Sequence, residues 1–293
     1  MAVVGRPNVG KSTLVNRLVG RKVSITSSRP QTTRSTIRGV VTHIGSDGEP
    51  EWQMVLVDTP GLHRPRTELG TRLNRLVYGS LAESDVILFL IDATAPVGPG
   101  DRLVAERLAE IDPPVVVVVN KVDAARRDEV VTQLAEASVW DFAAYVPISA
   151  TEGDGVDELV GELEPRLPDG PLYFPADQFS DQPEGRVIAE IVREKFLERL
   201  RDELPHSLTV RVEDVDETNG LMTIAADVIV ERQSQRGIVI GKGGSLLGAA
   251  GTEARLELEA LLATKVNLQL QVTVEKDWQR RPAMLDRLGF LDS

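Results

Sequence analysis

Eight residues near the start of the chain, Gly5-Arg6-Pro7-Asn8-Val9-Gly10-Lys11-Ser12, have types and a spacing suited to holding a polyphosphate. They match G-x-x-x-x-G-K-[S/T] between an apolar run and an amphipathic helical pattern, the context this motif requires. Its glycines let backbone N–H groups turn inward on a β-phosphate. Lys11 neutralises β/γ charge, and the Ser12 hydroxyl can ligate Mg2+. Val9, Gly10 and Thr13 are counted with them as nucleotide-binding positions. Further along, Asp58-Thr59-Pro60-Gly61 follows "MVLV", which places a carboxylate where it can reach the Mg2+ shell and Gly61 beside a γ-phosphate. Asn120-Lys121-Val122-Asp123 follows "VVVVV". A carboxylate at Asp123 can accept hydrogen bonds from guanine N1–H and the exocyclic amine, groups that adenine does not offer in that arrangement. Ser149-Ala150 after "VPI" is expected to complete the base pocket with backbone N–H groups. Each has a blander reading: Asp58 as a turn former, Asn120 as a strand-end cap, Ser149 as a helix N-cap. All of them in this order, each at a strand end, argue against coincidence.

The elements that must position these residues follow from the pattern of apolar runs. Short β-rich runs at 40–44, 54–57, 86–91, 115–119 and 145–148 alternate with helical stretches such as 102–111 and 126–138. The first strand, inside "MAVVG", reads as barely three residues. Alternation of this kind predicts an α/β unit over 1–164 with a mainly parallel sheet, and ligands then bind at the carboxyl ends of the strands. Residues 165–183 carry Pro165, Pro168, Pro171, Pro175 and Pro183 and read as a proline-stiffened interdomain linker. From 184 to 293 the order changes to a long helix (185–203), two strands (207–213 and 221–231), a glycine loop, a helix (245–263), a strand (266–274) and a closing helix near 278–288. That is a smaller α+β unit.

The second glycine loop lies in "IVIGKGGS", read as a β-like run, a tight turn and a helix start. It has no G-K-[S/T] ending, so no hydroxyl follows a lysine to bind Mg2+. It does fit G-x-x-G, the turn that in K-homology domains clamps four nucleotides of single-stranded RNA. Ile240, Gly241, Lys242, Gly243 and Gly244 are therefore the candidate RNA contacts, with the "IVI" and "LL" side chains as a floor for bases. The net charge of −12 argues against a broad basic surface, so nucleic-acid contact must be local. Cysteine is absent, which leaves no disulfide or thiolate chemistry and permits a reducing cytoplasm. No apolar run reaches the ~18–20 residues of a membrane span, and the N-terminus does not read as a secretory signal.

The motifs of the first half resemble those of the translation-factor-like P-loop GTPases. That likeness makes Thr33 of "QTTR" the first-switch hydroxyl over Mg2+. In Ras-like enzymes a glutamine after D-x-x-G orients the attacking water, whereas this chain has Leu62. Two substitutes are His63, next along the loop, and Asn8, which in related GTPases helps hold a potassium ion. Helix, strand, strand, glycine loop, helix, strand is the type II K-homology order, and the whole chain resembles the Era family of GTPases. "GRPNVGKSTLVNRLVG", "VDTPGLHRPR", "ADQFSDQPEGRVIAEIVREKF", "ELPHSLTV", "IGKGG" and "EKDW" carry that likeness. It implies a GTP/GDP- and Mg2+-dependent GTPase acting as a cytoplasmic, monomeric factor in 30S subunit assembly, and the missing glutamine adds the expectation of slow turnover. It also implies binding to the 3′ end of 16S ribosomal RNA, gated by nucleotide state. Peripheral membrane association belongs to the family picture too, though the acidic second half gives it little support. The rival reading is an RNA-binding protein whose G domain senses guanine nucleotide without turnover. An ATP-using enzyme is disfavoured by the Asn-Lys-x-Asp box.

Overall fold

In the computed structural model, residues 1–27, 32–62, 67–200 and 204–290 are described. The chain runs β1 (Ala2–Gly5), α1 (Lys11–Val19), β2 (Ile37–Ile44), β3 (Pro50–Asp58), α2 (Glu68–Ala82), β4 (Ile87–Asp92), α3 (Pro99–Leu108), β5 (Val115–Asn120), α4 (Arg127–Ala137), β6 (Ala144–Ile148) and α5 (Val156–Leu163). It continues with α6 (Glu184–Arg199), α7 (Leu204–Ser207), β7 (Thr209–Thr218), β8 (Leu221–Val230), α8 (Gln233–Ile240), α9 (Ser245–Leu262), β9 (Lys265–Val274) and α10 (Pro282–Arg287).

The first sheet has the order β2-β3-β1-β4-β5-β6 and is parallel except for β2. Its central strands are apolar throughout because helices cover both faces. The register pairs Val3 with Asp58, Asp92 with Asn120, and Asn120 with Ile148, so the chemistry-bearing strand ends lie along one edge. β1 spans Ala2–Gly5 and is paired on both sides. The helix Glu68–Ala82, which sequence reasoning did not single out, buries Leu69, Leu73, Val77 and Leu81.

The second sheet has the order β7-β8-β9, with β7 antiparallel and β9 parallel to β8. α6, α8 and α9 contribute to the core beneath it, with Ile188, Phe196, Val239 and Leu258 buried alongside Ile224 and Val228. One expectation is overturned here. The "IVI" run before the glycine loop is the end of helix α8, not a strand. The Gln235 side chain accepts from the backbone N–H groups of Glu231 (2.9 Å) and Arg232 (3.0 Å), a capping box that starts the helix. Burial of Val239 in the core then overrides the β propensity of the branched residues. The helix expected over 185–203 ends at Arg199.

The proline-rich segment is docked and is no free spacer. The N–H groups of Tyr173 and Phe174 donate to Gln53 Oε1 at 3.0 Å each, and the Val40 N–H donates to the Phe179 carbonyl at 2.9 Å. The Arg21 guanidinium lies 3.5 Å from the Phe179 ring centroid. At the other side of the molecule, Leu69 and Leu73 of α2 join Ile229, Trp278, Met284, Leu285 and Phe290 in one apolar cluster that ties the two sheets' layers together.

Candidate nucleotide and nucleic-acid sites

The loop between β1 and α1 must turn sharply to aim its N–H groups inward. Asn8 takes φ 67° and Gly10 φ 99° to do so. A Cβ on Gly10 would stand 2.1 Å from the Asn120 amide nitrogen, so only glycine fits this close approach. The Lys11 amine is buried and donates to the carbonyls of Gly5 (3.2 Å) and Arg6 (2.9 Å). Burial pushes it down to about 8, against the pull of the Asp58 carboxylate.

Ser12, Thr33 and Asp58 converge beside it. The Ser12 hydroxyl donates to Asp58 Oδ2 at 2.6 Å and lies 3.0 Å from the Thr33 hydroxyl, itself 3.5 Å from the same carboxylate oxygen. Asp58 is fully buried, and burial pushes its carboxyl above the usual aspartate range, opposed first by the Ser12 hydroxyl and then by Lys11. Its second oxygen, Oδ1, is buried without a hydrogen bond among the described residues. A hard divalent cation suits this set, because it would use oxygen donors of these types and neutralise a buried carboxylate. The residues present therefore fit Mg2+.

Pro7, Asn8, Gly10, Lys11, Ser12, Thr13, Thr32, Thr33 and Gly61 line one cavity of about 690 Å3, open to a polyphosphate. Gly61 packs so closely that a Cβ would meet the Pro7 nitrogen at 2.8 Å. Leu62 is half-buried against the core beneath α2 and does not point its side chain into this cavity. His63 lies outside the described residues.

At the base end, Asn120 Nδ2 donates to the Val9 carbonyl at 2.8 Å, and Oδ1 accepts from the Ala150 N–H at 3.0 Å. One amide thus holds the phosphate loop and the β6 loop together. Lys121, at φ 72°, sends its amine to Asp92 at 2.6 Å and also borders the cavity. Asp123 accepts from the Ser149 hydroxyl at 2.6 Å, which aims one carboxylate oxygen and leaves the other for a ligand. The expectation for Ser149 and Ala150 needs revision, since their N–H groups already donate to Asp154 (2.8 Å) and Asn120 (3.0 Å). What Ser149 contributes in this arrangement is its hydroxyl.

Several site residues escaped the motif reading. Arg17 on α1 donates to the carbonyls of Ala150 (3.0 Å) and Thr151, fixing the β6 loop. Asp92, whose signal was its place at the end of the apolar β4, anchors Lys121. Thr26 and Ser27, and Glu198 from α6, also border the cavity. Nothing local in the sequence marks Glu198.

In the second loop, Gly241, Gly243 and Gly244 have φ of 76°, 61° and 79°. Lys242 is exposed between them, and a Cβ on Gly243 would meet nothing within 4 Å. Ile238 is exposed, whereas Ile240, Leu246 and Leu247 are half-buried, so an apolar rim flanks the turn from the two helices α8 and α9. Among the described residues no helix is long and apolar enough to cross a membrane.

Comparison with known proteins agrees with this arrangement. The 50S ribosome-binding GTPase family matches residues 1–121, and the KH domain family matches residues 203–279. The chain is similar to the GTPase Era of Mycobacterium sp. (strain KMS), 51% identical over 294 residues that cover 98% of this chain and 96% of the relative. It is likewise 51% identical to the GTPase Era of Mycobacterium tuberculosis (strain CDC 1551 / Oshkosh) over 298 residues, covering 99% and 97%. Among solved structures, a variant of Aquifex aeolicus Era bound to GDP·AlF4− superposes with TM-score 0.93 at 38% identity, over 99% of this chain and 97% of that one. Era in complex with MgGDPNP and nucleotides 1506–1542 of 16S ribosomal RNA gives the same TM-score, identity and coverage. With phosphate loop, metal-type oxygen cluster, base pocket and KH fold in one chain, this protein belongs to the Era family of GTPases.

Proposed function

We infer that the chain is a slowly hydrolysing GTP switch that binds the 3′ end of 16S ribosomal RNA and assists maturation of the 30S subunit. Residues 1–164 form the G domain, 165–183 the linker and 184–293 the RNA-binding domain. The convergence of Lys11, Ser12, Thr33 and Asp58 at one mouth carries the GTPase part of the reading. Mg2+, when bound, offsets charge on the phosphates. Lys11 gains an anionic partner that its burial otherwise denies it. Val9, Gly10 and Thr13 present the loop to the phosphates, Gly61 lets the γ-phosphate approach, and Asp123 reads guanine. Leu62 cannot orient water, so turnover is slow. The cavity-facing Asn8 is placed to hold a potassium ion, whose charge would stabilise the transition state.

For RNA, Lys242 stands among glycines that let a nucleotide backbone come close, and the N-terminus of α9 faces the same space. The Era complex with nucleotides 1506–1542 supports ribosomal RNA as the ligand class. The test is titration of the full chain with an oligoribonucleotide of the 16S 3′ end, with a non-hydrolysable GTP analogue or with GDP. Tighter binding with the analogue is expected, and equal affinity in both states would rule out gating.

The half-buried Leu62 also favours a second reading, a nucleotide sensor without turnover. Single-turnover phosphate release separates the two. Release in potassium should exceed release in sodium, and Asn8→Ala should erase the difference. No release in either salt would leave the sensor reading standing.

A further inference from the structure

Three consecutive residues, Thr32, Thr33 and Arg34, are all buried, and they face two different partners. Thr33 turns to Ser12 and Asp58, the oxygen cluster that fits Mg2+. Its neighbours are held from the other half of the molecule. The Arg193 guanidinium on α6 donates to the Thr32 carbonyl, and Arg34 Nη1 donates to the Leu208 carbonyl at 2.7 Å, just before β7. Arg34 also lies 5.8 Å from the Trp278 ring centroid.

Arg193 is an expensive residue to place there. It is 0% exposed, and a buried guanidinium is costly unless it is paired and hydrogen-bonded. Glu190, one turn back on α6, supplies the pair, accepting from Nε at 3.0 Å and from Nη2 at 2.7 Å. Glu190 thereby orients the fork so that Nη2 can reach across to Thr32. Its remaining nitrogen, Nη1, is buried with no hydrogen bond among the described residues. An apolar side chain could fill the same space without these costs, but it could not hold a carbonyl. The contact reaches the one peptide that links Thr32 to Thr33.

We propose that Arg193 is a positioning residue for GTP hydrolysis, holding the Thr32 carbonyl so that the Thr33 hydroxyl stands over the Ser12–Asp58 metal pair. The nucleotide site is then completed by a residue of the RNA-binding half. This rests on the reading of Thr33 as a metal donor. Holding the Thr32 carbonyl through a charged hydrogen bond from α6 links metal retention to how that helix is seated.

The experiment measures, on the full chain, the Mg2+ concentration that half-maximally retains a fluorescent GTP analogue, and the same for GDP, together with kcat for GTP. Arg193→Gln should raise the Mg2+ requirement for the analogue about tenfold or more and lower kcat similarly, the scale of one lost charge-assisted hydrogen bond. On the first-switch reading of Thr33 its hydroxyl joins the metal only beside a γ-phosphate, so the GDP requirement should stay at the wild-type value. Glu190→Gln, which leaves Arg193 in place but loosens its aim, should move the analogue in the same sense by less, and it serves if Arg193→Gln fails to fold. An equal shift for both nucleotides, or a lower melting temperature with no change in either requirement, would overturn the proposal and leave Arg193 as packing. Thr33→Ala separates the layers. If it leaves the analogue's Mg2+ requirement unchanged, the reading of Thr33 is wrong. If it raises the requirement while Arg193→Gln and Glu190→Gln do not, only the role of Arg193 is wrong.

Discussion

The guanine selectivity proposed above rests on the Asp123 carboxylate, which accepts a hydrogen bond from the Ser149 hydroxyl at 2.6 Å. Asp123→Asn should reverse the donor–acceptor pattern, weaken GTP binding by several kcal/mol and favour xanthine nucleotides, as competition binding would show. A variant that keeps its preference for GTP would move base recognition elsewhere. Lys11 gives a pH signature. In the free protein burial disfavours the charge and pushes the amine down to about 8. Bound phosphates keep it charged to higher pH, so above that value the complex holds more protons than the free protein. GTP affinity should be flat below about pH 8 and fall as pH rises past it, with proton uptake on binding. Calorimetry in buffers of different ionisation enthalpy reads this directly, and proton release near pH 9 would contradict it.

The glycine loop works as part of an element pair. α8 ends at Ile240 and α9 starts at Ser245, so the turn is braced from both sides and Lys242 projects from it. Replacing Lys242 and Gly243 together with Asp should abolish RNA binding, because two carboxylates would stand where a phosphate must approach. A Cβ at Gly243 has open space around it, so the cost comes from charge and from its φ of 61°, not from a clash inside the protein. The net charge of −12 argues against a broad basic surface that would displace many counterions, so wild-type binding should have a shallow salt dependence. A steep slope would point to a wide basic surface instead. The run "IVI" shows how an element can be misread: three branched residues favour a strand, yet a glutamine cap and a single buried valine make them a helix.

At the scale of the whole molecule, both segments that flank the phosphate site touch the RNA-binding half. Thr32 and Arg34 meet α6 and the approach to β7, while α2 packs on Trp278 and Phe290. Lys22, in the loop after α1, pairs with Glu194 of α6 and Glu257 of α9 at 2.5 Å each. Leu73→Ala removes a buried side chain from the apolar seam and should cost about 2–5 kcal/mol. Chemical denaturation should show the loss. It should also weaken the difference in RNA affinity between the GTP-analogue and GDP states, because that seam joins α2 to the KH half. Full gating in a destabilised variant would mean the seam is packing only.

Asp58, Asn120 and Asp123 were legible because a parallel sheet exposes the carboxyl ends of its strands, so a motif written after an apolar run is already placed in space. The G-x-x-G turn was legible for a similar reason, since local glycine geometry decides it. Arg193, Glu198 and Arg17 were not. Their roles come from contacts 161 residues away to Thr32 and 133 residues away to Ala150, or from the lining of a shared cavity. The prolines at 165–183 announced a linker, but only the Gln53 and Phe179 hydrogen bonds made it a docked one. The sequence by itself determined the chemistry of each loop, because that depends on residue type and short spacing. Only the tertiary structure decided that the segment beside the oxygen cluster is held from the other half of the chain, because that depends on which buried donor finds which distant carbonyl.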